Sequence, residues 1–512
     1  MAAEPAPSTP VQINPASVST RMSDHQVNEL RSSAQNWING EMVGDGPTRE
    51  SINPATYEVI GVYPDSGISA AKAAVAAAVT AFRETGWAHD NELRARVLDQ
   101  LAVAFERHRD RLLDILMLEN GKVRAEAALE LDMIPSKLRY SAATALLESG
   151  RAVTPKPGSI SIVMRQPIGV AAVIAPWNSP AILTIRSLAP ALAAGCTTVI
   201  KLPGQVAQTA SVMAQVMAEA PDLPKGVINL FFESGPEGSA YLVEAPEVAA
   251  ISFTGSTRTG RAIAAAGSKQ LKRFGMELGG KTPVIVFEDA DVAAALPVIE
   301  KSLTVFSGQF CMTGSRLLVH ASIYDQVKDG IAERLRNVKV GPAADVLSDM
   351  GPLIDRANVE RVDEVVEAAI KGGARVVLRG GPPKDGPLAR GAFYRPTLLE
   401  VQDNRLPIVQ EETFGPVMTI HRFHDEREAI ALANDSEYGL CASVWTQDVD
   451  RSLRVAQALE AGSVWINDWA KVYDSTEEGG FKQSGLGRLN GLAALEDFLE
   501  LKHIALKPGL AS

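Results

Sequence analysis

Short apolar runs alternate with amphipathic stretches between residues 169 and 287. Four of the runs, GVAAVIAPW, CTTVIKL, GVINLFF and VAAISFTG, have the length and composition of strands that are buried on both faces. The stretches between them, 181–194, 208–220 and 257–265, have apolar positions at helical spacing. Strand, helix and strand in this order predict a parallel sheet with helical crossovers, which is the architecture of many nucleotide-binding domains.

A second, weaker alternation runs from Thr282 to Thr446. It contains the strand-like runs TPVIVFED, SRLLVHAS and ARVVLRGG, and it has helical spacing at 324–338 and 358–372. Two blocks of this kind predict an α/β protein whose two domains share a cleft.

Three further segments fit neither block. Residues 150–167, which include TPKPGSISIVMRQP, are typical of an antiparallel pair of strands. The C-terminal stretch ALEDFLELKHIALKP ends in a strand-like run with no partner nearby in the sequence, so we expect it to pair elsewhere, another subunit included. Residues 1–30 begin with MAAEPAPSTPVQINPAS, which has no basic n-region and no apolar core, and they are predicted to be a disordered tail, not a secretory signal.

Composition and charge exclude several classes of function. A chain of 512 residues is long enough for two or three domains. The net charge of -11 and the lack of a Lys/Arg cluster argue against a nucleic-acid partner. The longest apolar run, around 169–176, is far shorter than the roughly 20 residues that span a bilayer, so no membrane partner is expected.

The cysteines and histidines indicate neither disulfides nor a metal. Three cysteines, Cys196, Cys311 and Cys441, occur without paired spacing, which is typical of a reducing compartment and predicts a cytoplasmic protein. Cys196 and Cys441 are expected to be small core residues. His421 and His424 lack a second ligand pair, so we expect them on the solvated surface and predict no metal site.

Four short stretches contain candidate chemistry. In FSGQFCMTGSR, Cys311 follows two aromatic residues and is surrounded by glycines and small polar residues. It is either a buried spacer or a nucleophile. The stretch ISFTGSTRTGR ends a predicted strand, turns on Gly255 and opens a helix whose free N–H groups can hold a pyrophosphate. Because it lacks the GxGxxG fingerprint, a tight structural turn is the alternative.

The other two stretches contain a carboxylate and an amide. In MELGGKTP, Glu277 precedes two glycines between strand-like runs, so it should lie at a domain junction, as a general base or as a capping or salt-bridged residue. In APWNSPAILTIR, Asn178 stands between a predicted strand and a helix that has Pro180 in its first turn. Asn178 is therefore either a plain N-cap or an amide that donates to an oxyanion in the crevice at the strand ends.

Six motifs together resemble those of the aldehyde dehydrogenase superfamily, in order and in spacing, over roughly residues 37–507. They are PWN at 176–178, FTGS at 253–256, ELGGK at 277–281, GQFC at 308–311, EETFGPV at 411–417 and GGFKQSGLGR at 479–488. The resemblance implies an α/β fold with three parts and a homodimer or homotetramer. The parts are a Rossmann-like nucleotide domain at 31–149 and 168–279, an α/β catalytic domain at 280–484, and a small β oligomerisation arm at 150–167 and 485–512.

The resemblance also implies a reaction, the oxidation of a small-molecule aldehyde to the acid with NAD. Cys311 would be the nucleophile that forms a thiohemiacetal and then a thioester. The Asn178 amide and the Cys311 backbone N–H would hold the oxyanion. Glu277 would activate the water that hydrolyses the thioester.

A further set of residues is implied to bind the cofactor. Lys201 would contact the adenosine ribose, Gly255 and Ser256 the pyrophosphate, and Glu412 the nicotinamide ribose. The set is completed by Trp177, Gly204 and Phe414, of which Phe414 would lie near the nicotinamide ring.

Two residues depart from the family pattern at the adenosine end. The family usually has a glutamate three residues after the lysine, where this chain has Gly204, and that loss predicts room for a 2′-phosphate and some tolerance of NADP. The loop that often reads GxG in the family is FFESGPEG, which keeps Gly235 but has Glu233 two residues before it. An acid at Glu233 would oppose a phosphate.

Ser179, Leu183 and Arg186 share one face of the helix after Asn178, and the resemblance implies that this face lines the aldehyde tunnel. Arg186 and Glu478 match positions that are often aromatic in members that favour aliphatic aldehydes. They either pair with each other and face water, or donate and accept hydrogen bonds with an aromatic or hydroxylated aldehyde. The predicted substrate contacts are Leu183, Arg186, Trp469, Tyr473 and Glu478.

There are three alternatives to this function. Relatives that acylate coenzyme A generally lack the glutamate that Glu277 matches, which favours hydrolysis of the thioester. A non-enzymatic scaffold role is disfavoured because Cys311, Glu277 and Asn178 are all present. An aliphatic aldehyde is the alternative substrate class.

Overall fold

The computed structural model describes residues 33–147 and 150–507, and the predicted tail at 1–30 lies outside them. Strands in chain order are β1 (Asn36–Ile38), β2 (Glu41–Val43), β3 (Thr48–Ile52), β4 (Val59–Pro64), β5 (Arg151–Val153), β6 (Ile160–Pro167), β7 (Val170–Ile174), β8 (Thr197–Pro203), β9 (Ile228–Glu233), β10 (Val248–Thr254), β11 (Arg273–Glu277), β12 (Pro283–Val286), β13 (Arg316–His320), β14 (Arg375–Leu378), β15 (Thr397–Glu400), β16 (Val417–Phe423), β17 (Tyr438–Gly439), β18 (Cys441–Trp445), β19 (Ser463–Ile466), β20 (Phe481–Lys482), β21 (Gly485–Leu486) and β22 (Leu499–Leu506).

The structure has α-helices throughout the described residues. They are α1 (Gly67–Glu84), α2 (Asn91–Arg107), α3 (Arg109–Ile115), α4 (Arg124–Leu147), α5 (Pro180–Ala194), α6 (Ala207–Met217), α7 (Glu237–Glu244), α8 (Thr257–Gly267), α9 (Val292–Thr304), α10 (Tyr324–Asn337), α11 (Arg356–Lys371), α12 (Pro407–Gln410), α13 (Glu426–Asn434) and α14 (Val449–Ala458). The five helices predicted from apolar spacing correspond to α5, α6, α8, α10 and α11.

Local sequence signals set the bounds of the helices beside the site. Helix α5 begins with Pro180, whose fixed φ suits the first helical turn, and ends at Gly195, which has a left-handed φ of 96°. Helix α8 begins after Ser256, whose side chain accepts a hydrogen bond from the Thr259 N–H. All residues of α5 are buried, so this helix is the centre of the first domain.

The first domain is built on an eight-stranded sheet in the order β2-β1-β9-β8-β7-β10-β11-β21. Strands β7 to β11 are parallel, as the buried apolar runs predict, and β1 and β21 are antiparallel to their neighbours. The chain builds β8 and β9 on one side of β7 and then crosses to place β10 on the other side. The strand order therefore reverses between β7 and β10, and ligands bind at such a point in open α/β sheets.

The second domain contains a seven-stranded sheet in the order β14-β15-β16-β13-β12-β18-β19, in which β14 is the antiparallel edge. Its apolar core lies between this sheet and helices α9 and α10. Strand β21 belongs to the sheet of the first domain although 485–512 was expected to lie in the arm, because β21 pairs with β11.

Strands β5, β6 and β22 form a separate three-stranded sheet. The antiparallel pairing predicted for 150–167 is present between β5 and β6. Strand β22 pairs with β6 along its whole length, from Leu499 opposite Pro167 to Leu506 opposite Ile160. The predicted distant partner of the C-terminal strand is thus β6 of the same chain.

Within residues 33–147 and 150–507, none of the helices is long and apolar enough to cross a membrane.

Candidate active site

The predicted catalytic residues meet at the edge of the first sheet where its strand order reverses. Asn178 follows β7, Gly255 follows β10, and Glu277 is the last residue of β11. Cys311 comes from the second domain, in the loop between α9 and β13. The Asn178 side chain joins the two parts, because its Nδ2 donates to the Gln309 carbonyl at 2.9 Å.

The loop before Cys311 has an unusual backbone. Phe306, Ser307 and Gly308 are consecutive residues with left-handed φ values of 51°, 59° and 70°. Each non-glycine residue in this conformation costs roughly 1 kcal/mol or more, so the surrounding structure must hold the loop in place. The Ser307 hydroxyl does so by donating to the Gly351 carbonyl at 2.9 Å. Strain of this kind is typical of a loop that presents a functional side chain.

The glycine pair in ELGGK allows this loop to approach the Glu277 strand. A Cβ on Gly280 would overlap the Cys311 carbonyl, so only glycine permits the contact. The Cys311 thiol is half-buried, and desolvation raises its pKa well above the ordinary value, while the Arg186 guanidinium acts in the opposite direction. The resting thiol is therefore protonated and needs a base before it can attack a carbonyl.

Asn178 is held in the orientation that an oxyanion donor needs. It is 5% exposed, and one hydrogen of its amide is fixed by the Gln309 carbonyl. An amide nitrogen has a second hydrogen, which remains free to donate. The residue that directly precedes α5 is Ser179, so Asn178 is not the N-cap of that helix.

Glu277 is buried and incompletely satisfied. It is 4% exposed, and its Oε1 has no hydrogen-bond partner among the described residues. The pKa of Glu277 is raised to about 8, chiefly by desolvation. The Arg186 charge lowers this pKa, and the Glu478 charge raises it further. Buried carboxyl groups are normally paired, and an unpaired one with a raised pKa in a cleft is typical of a general base. Among the described residues Glu277 forms no ion pair, so the salt-bridge alternative is not supported.

The nicotinamide end of the predicted cofactor site is assembled from both domains. The Gly280 N–H donates to Glu412 Oε1 at 3.0 Å. The Trp177 ring meets the Phe414 ring edge to face, with 5.5 Å between the centroids. Arg361 holds the Glu412 segment by donating to the Thr413 carbonyl at 2.8 Å. The Glu412 carboxylate and two aromatic rings thus lie close to the segment that follows the Glu277 strand.

The phosphate end lies at the start of α8. The Gly255 N–H donates to the Glu277 carbonyl at 3.0 Å, which fixes this turn against β11. Ser256 caps the helix with its side chain, and the first N–H groups of a helix have no partners within the helix. Lys201, near the end of β8, lies 3.7 Å from the carboxylate of Glu233. These residues fit a dinucleotide that extends from Lys201 past Ser256 to Glu412.

The sequence is similar to those of known aldehyde dehydrogenases. The model of the aldehyde dehydrogenase family matches residues 42–504. Betaine aldehyde dehydrogenase of Bacillus subtilis is 37% identical over 470 residues, which cover 91% of this chain and 95% of that protein. Hydroxyisobutyraldehyde dehydrogenase of Mycolicibacterium austroafricanum is 37% identical over 473 residues, which cover 92% of this chain and 93% of that protein. The chain belongs to the aldehyde dehydrogenase family.

Solved structures extend the similarity to the fold. Betaine aldehyde dehydrogenase of Staphylococcus aureus in complex with NAD+ superposes with a TM-score of 0.92 at 35% identity, over 95% of this chain and 98% of that chain. A point mutant of the same protein, crystallised with NAD+ and with one cysteine modified by mercaptoethanol, gives a TM-score of 0.90. The predicted family, the α/β fold class and the oxidoreductase class are confirmed.

Arg186 and Glu478 form an ion pair inside this aldehyde dehydrogenase. Their charged groups lie 3.0 Å apart, and each side chain is 6% exposed. Arg186 also donates to the Thr254 hydroxyl at 3.4 Å, and Thr254 is the neighbour of Glu277 across β10 and β11. The predicted pairing is therefore present, but the expectation that the pair faces water is wrong, because helix α5 places Arg186 in the core.

A polar network that the sequence did not indicate continues from this pair. The second Glu478 oxygen accepts from Asn490 at 2.9 Å, Asn490 accepts from Lys137 at 2.6 Å, and Lys137 pairs with Asp474 at 2.8 Å. Arg186 Nε has no hydrogen-bond partner among the described residues. This nitrogen is itself buried, so the Arg186 guanidinium is incompletely satisfied within the described structure.

Replacing Glu478 by glutamine is expected to destabilise the enzyme, because the Arg186 charge would stay buried without its partner. Breaking one side of a buried ion pair costs about 3 to 5 kcal/mol. The thermal unfolding midpoint measures the loss, and the exposed neighbour variant Glu477→Gln is the matched control. A Glu478→Gln midpoint within about 1 °C of wild type would contradict the buried pair.

Aromatic side chains line the nucleophile loop. The Phe310 ring lies 5.4 Å from Phe306 and 5.9 Å from Trp469, edge to face in both cases. Trp469 is fixed by donating to the Met312 carbonyl at 2.9 Å. Of the other predicted substrate contacts, Leu183 is buried in α5, whereas Tyr473 is 61% exposed and is not drawn into this group.

A buried lysine and a buried glutamate lie beside α5, and the sequence patterns did not indicate them. Lys122 bonds Glu130 and the Ser179 hydroxyl, and its ammonium lies 3.9 Å from the Phe306 ring centroid. Glu130 accepts from the Ala181 N–H at 2.8 Å, so a carboxylate occupies the positive end of α5. Because Glu130 and Ala181 are 51 positions apart, no local pattern could have indicated the contact.

The remaining cysteines and histidines have other surroundings. Cys196 and Cys441 are buried, and their sulfur atoms contact the Phe498 carbonyl and the Thr282 hydroxyl. Burial lowers the pKa of His421, and His424 is exposed. In the described part of the chain, His, Cys, Asp and Glu side chains form no group of three that could hold a metal ion.

Proposed function

We propose that the enzyme oxidises an aromatic or hydroxylated aldehyde to its carboxylic acid with NAD. The observation that supports this best is the grouping of Cys311, on a strained loop, with the unpartnered carboxyl of Glu277 and the fixed amide of Asn178. Hydrolysis of a cysteine thioester requires these three groups: a nucleophile, a base for water and an oxyanion donor.

The residues act in a fixed order. A base removes the thiol proton of Cys311, and Glu277 or a water molecule can accept it. The thiolate adds to the aldehyde carbon, and the free hydrogen of the Asn178 amide and the Cys311 N–H stabilise the oxyanion. NAD, when bound, supplies the acceptor for the hydride. Glu277 then takes a proton from water, which attacks the thioester and releases the acid and the thiol.

The fit to NAD has two supports. The Staphylococcus aureus relative is crystallised with NAD+. In this chain, the start of α8, Lys201 near the end of β8 and the Glu412 carboxylate offer groups for a pyrophosphate and two riboses.

The side chains beside Cys311 support this substrate class. Phe310 and Trp469 offer aromatic surface, and Arg186, whose charge acts on the Cys311 thiol, has a buried Nε that a polar substrate would reach only after a shift of the side chain. Relatives of this chain include a betaine aldehyde dehydrogenase and a hydroxyisobutyraldehyde dehydrogenase. A quaternary ammonium substrate is disfavoured here, because the Phe306 face already holds the Lys122 ammonium. A neutral aromatic or hydroxylated aldehyde fits these walls better.

A panel of aldehydes on purified enzyme tests this proposal. Benzaldehyde-type and small hydroxylated aldehydes should exceed long-chain alkanals and betaine aldehyde by about tenfold or more in kcat/KM. Addition of coenzyme A should not change the rate, because water and not a thiol takes the acyl group. The Arg186→Ala variant, checked for folding, should lose the advantage of hydroxylated substrates. The opposite order of substrates, unchanged in that variant, would contradict the substrate class, and a requirement for coenzyme A would contradict hydrolysis.

We also infer a homodimer or homotetramer formed through the β5-β6-β22 sheet. Five apolar side chains on one face of this sheet are 36% to 51% exposed, and the β6–β22 register places them together. They are Ile160, Ile162, Met164, Ile504 and Leu506. The three free cysteines suit a reducing compartment such as the cytoplasm.

A further inference from the structure

Acidic side chains surround Lys201, the residue implied to contact the adenosine ribose. Its ammonium lies 3.7 Å from Glu233 Oε1, and the Lys201 and Glu233 side chains are 12% and 0% exposed. Burial lowers the Lys201 pKa, and Glu233, Asp65 and Glu237 oppose that effect through their charges. The Lys201 charge therefore faces carboxylates of the chain itself, of which Asp65 is also paired with Arg49 at 3.0 Å.

Glu233 is held in place by the start of α7. Its oxygens accept from the Gly238 N–H at 2.6 Å, the Ser239 N–H at 2.9 Å and the Ser239 hydroxyl at 2.8 Å. These donors are the N–H groups that a helix N-terminus otherwise offers to an anion. The start of α7 is thus occupied by an internal carboxylate, unlike the start of α8, which is capped by the neutral Ser256.

Position 204, where the family usually has its ribose-binding acid, is a glycine that lies against Tyr63. A Cβ on Gly204 would overlap the Tyr63 hydroxyl, so the tyrosine occupies the space of any side chain at 204. Tyr63 is 5% exposed and packs edge to face on Phe232, with 5.8 Å between the ring centroids. Tyr63 therefore fills the space that a side chain at 204 would take, and residue 204 itself offers no group that could select between the two cofactors.

We propose that the Glu233–Lys201 pair, and not residue 204, makes the enzyme select NAD over NADP. The inference rests on the proposed NAD-dependent function. A 2′-phosphate would bring about two negative charges to a lysine already neutralised by Glu233, with Asp65 and Glu237 nearby. A 2′-hydroxyl brings no charge and can still accept a hydrogen bond from Lys201. Glu233 acts through Lys201, and so it is a positioning residue and not a direct ligand.

The test is the binding of NAD+ and NADP+ to the enzyme, measured by titration calorimetry without an aldehyde. Wild type should bind NAD+ at least about tenfold more tightly than NADP+, the scale of one charged contact. Glu233→Gln should bring the two dissociation constants within about threefold of each other, mainly by tightening NADP+. Adenosine 2′-monophosphate, which presents the phosphate alone, should bind more tightly to the variant as well.

Two further variants separate charge from structure. Glu244→Gln removes an exposed carboxylate from the other end of α7 and leaves the contacts of Glu233 intact, so it should leave the NAD+ to NADP+ ratio unchanged. Asp65→Asn should shift the ratio in the same direction as Glu233→Gln but less, and it serves if Glu233→Gln does not fold. Equal binding of both dinucleotides by wild type, or equal weakening of both by Glu233→Gln and no shift with Asp65→Asn, would overturn the inference. Binding of neither dinucleotide would instead overturn the proposed function.

Discussion

The Cys311→Ala variant is expected to lose aldehyde oxidation by at least about 10⁴-fold, while it still folds and binds NAD. The thiolate forms the bond to the aldehyde carbon, and the Ser307 hydroxyl of the same loop is engaged with the Gly351 carbonyl. The structural cost should be small, because Cys311 is half-buried and only packs beside the Met312 cluster. The measurement is the rate of nicotinamide reduction, together with the thermal midpoint and NAD titration of the same preparation.

The other two cysteines supply matched controls. Cys196 and Cys441 are 0% and 2% exposed, and alanine at either position should retain activity per folded molecule. Iodoacetamide should label Cys311 in wild type and leave the two buried thiols unlabelled under native conditions. Residual activity of Cys311→Ala above about 1% of wild type would exclude this residue as the nucleophile.

The fold near the site could be predicted because its signals are local. Helix α5 follows from apolar spacing, from Pro180 at its start and from Gly195 after its end. The parallel strands follow from continuous apolar runs, since strands covered on both faces need no polar alternation. Even the strand β22 was predicted from its pattern, although its partner was not, because register with a distant strand depends on the tertiary fold.

The charges inside the protein could not be predicted in the same way. Arg186 and Glu478 are 292 positions apart, and a helical spacing pattern cannot tell that α5 is buried on every side. Glu233 was expected near the cofactor, but its hydrogen bonds to the start of α7 depend on how a strand and a helix pack. The chemistry of the site came from residue types in motifs, whereas the partners that tune those residues are set by long-range contacts.

Glu277→Gln is expected to separate the two halves of the reaction. Glutamine has nearly the same shape but cannot accept a proton, so thioester hydrolysis should slow by about 10³-fold, within the usual range for a missing general base. Addition of the Cys311 thiolate and reduction of NAD do not require Glu277 when water takes the thiol proton. Rapid mixing should therefore show a burst of about one reduced nicotinamide per active site, followed by slow turnover.

The pH dependence of wild type tests the same role. Burial raises the pKa of Glu277 to about 8, so the carboxylate that activates water is in the minority at pH 7. Steady-state turnover should thus rise through the region of pH 8, and it should be low and nearly independent of pH there in Glu277→Gln. Asp497→Asn is a second variant that should shift the same pKa, because the Asp497 charge helps to raise the pKa of Glu277. That variant should keep full turnover above pH 9 and move the rise to lower pH. Wild-type turnover in Glu277→Gln, or a burst that is absent while Cys311 still reacts with iodoacetamide, would show that Glu277 does not activate the deacylating water.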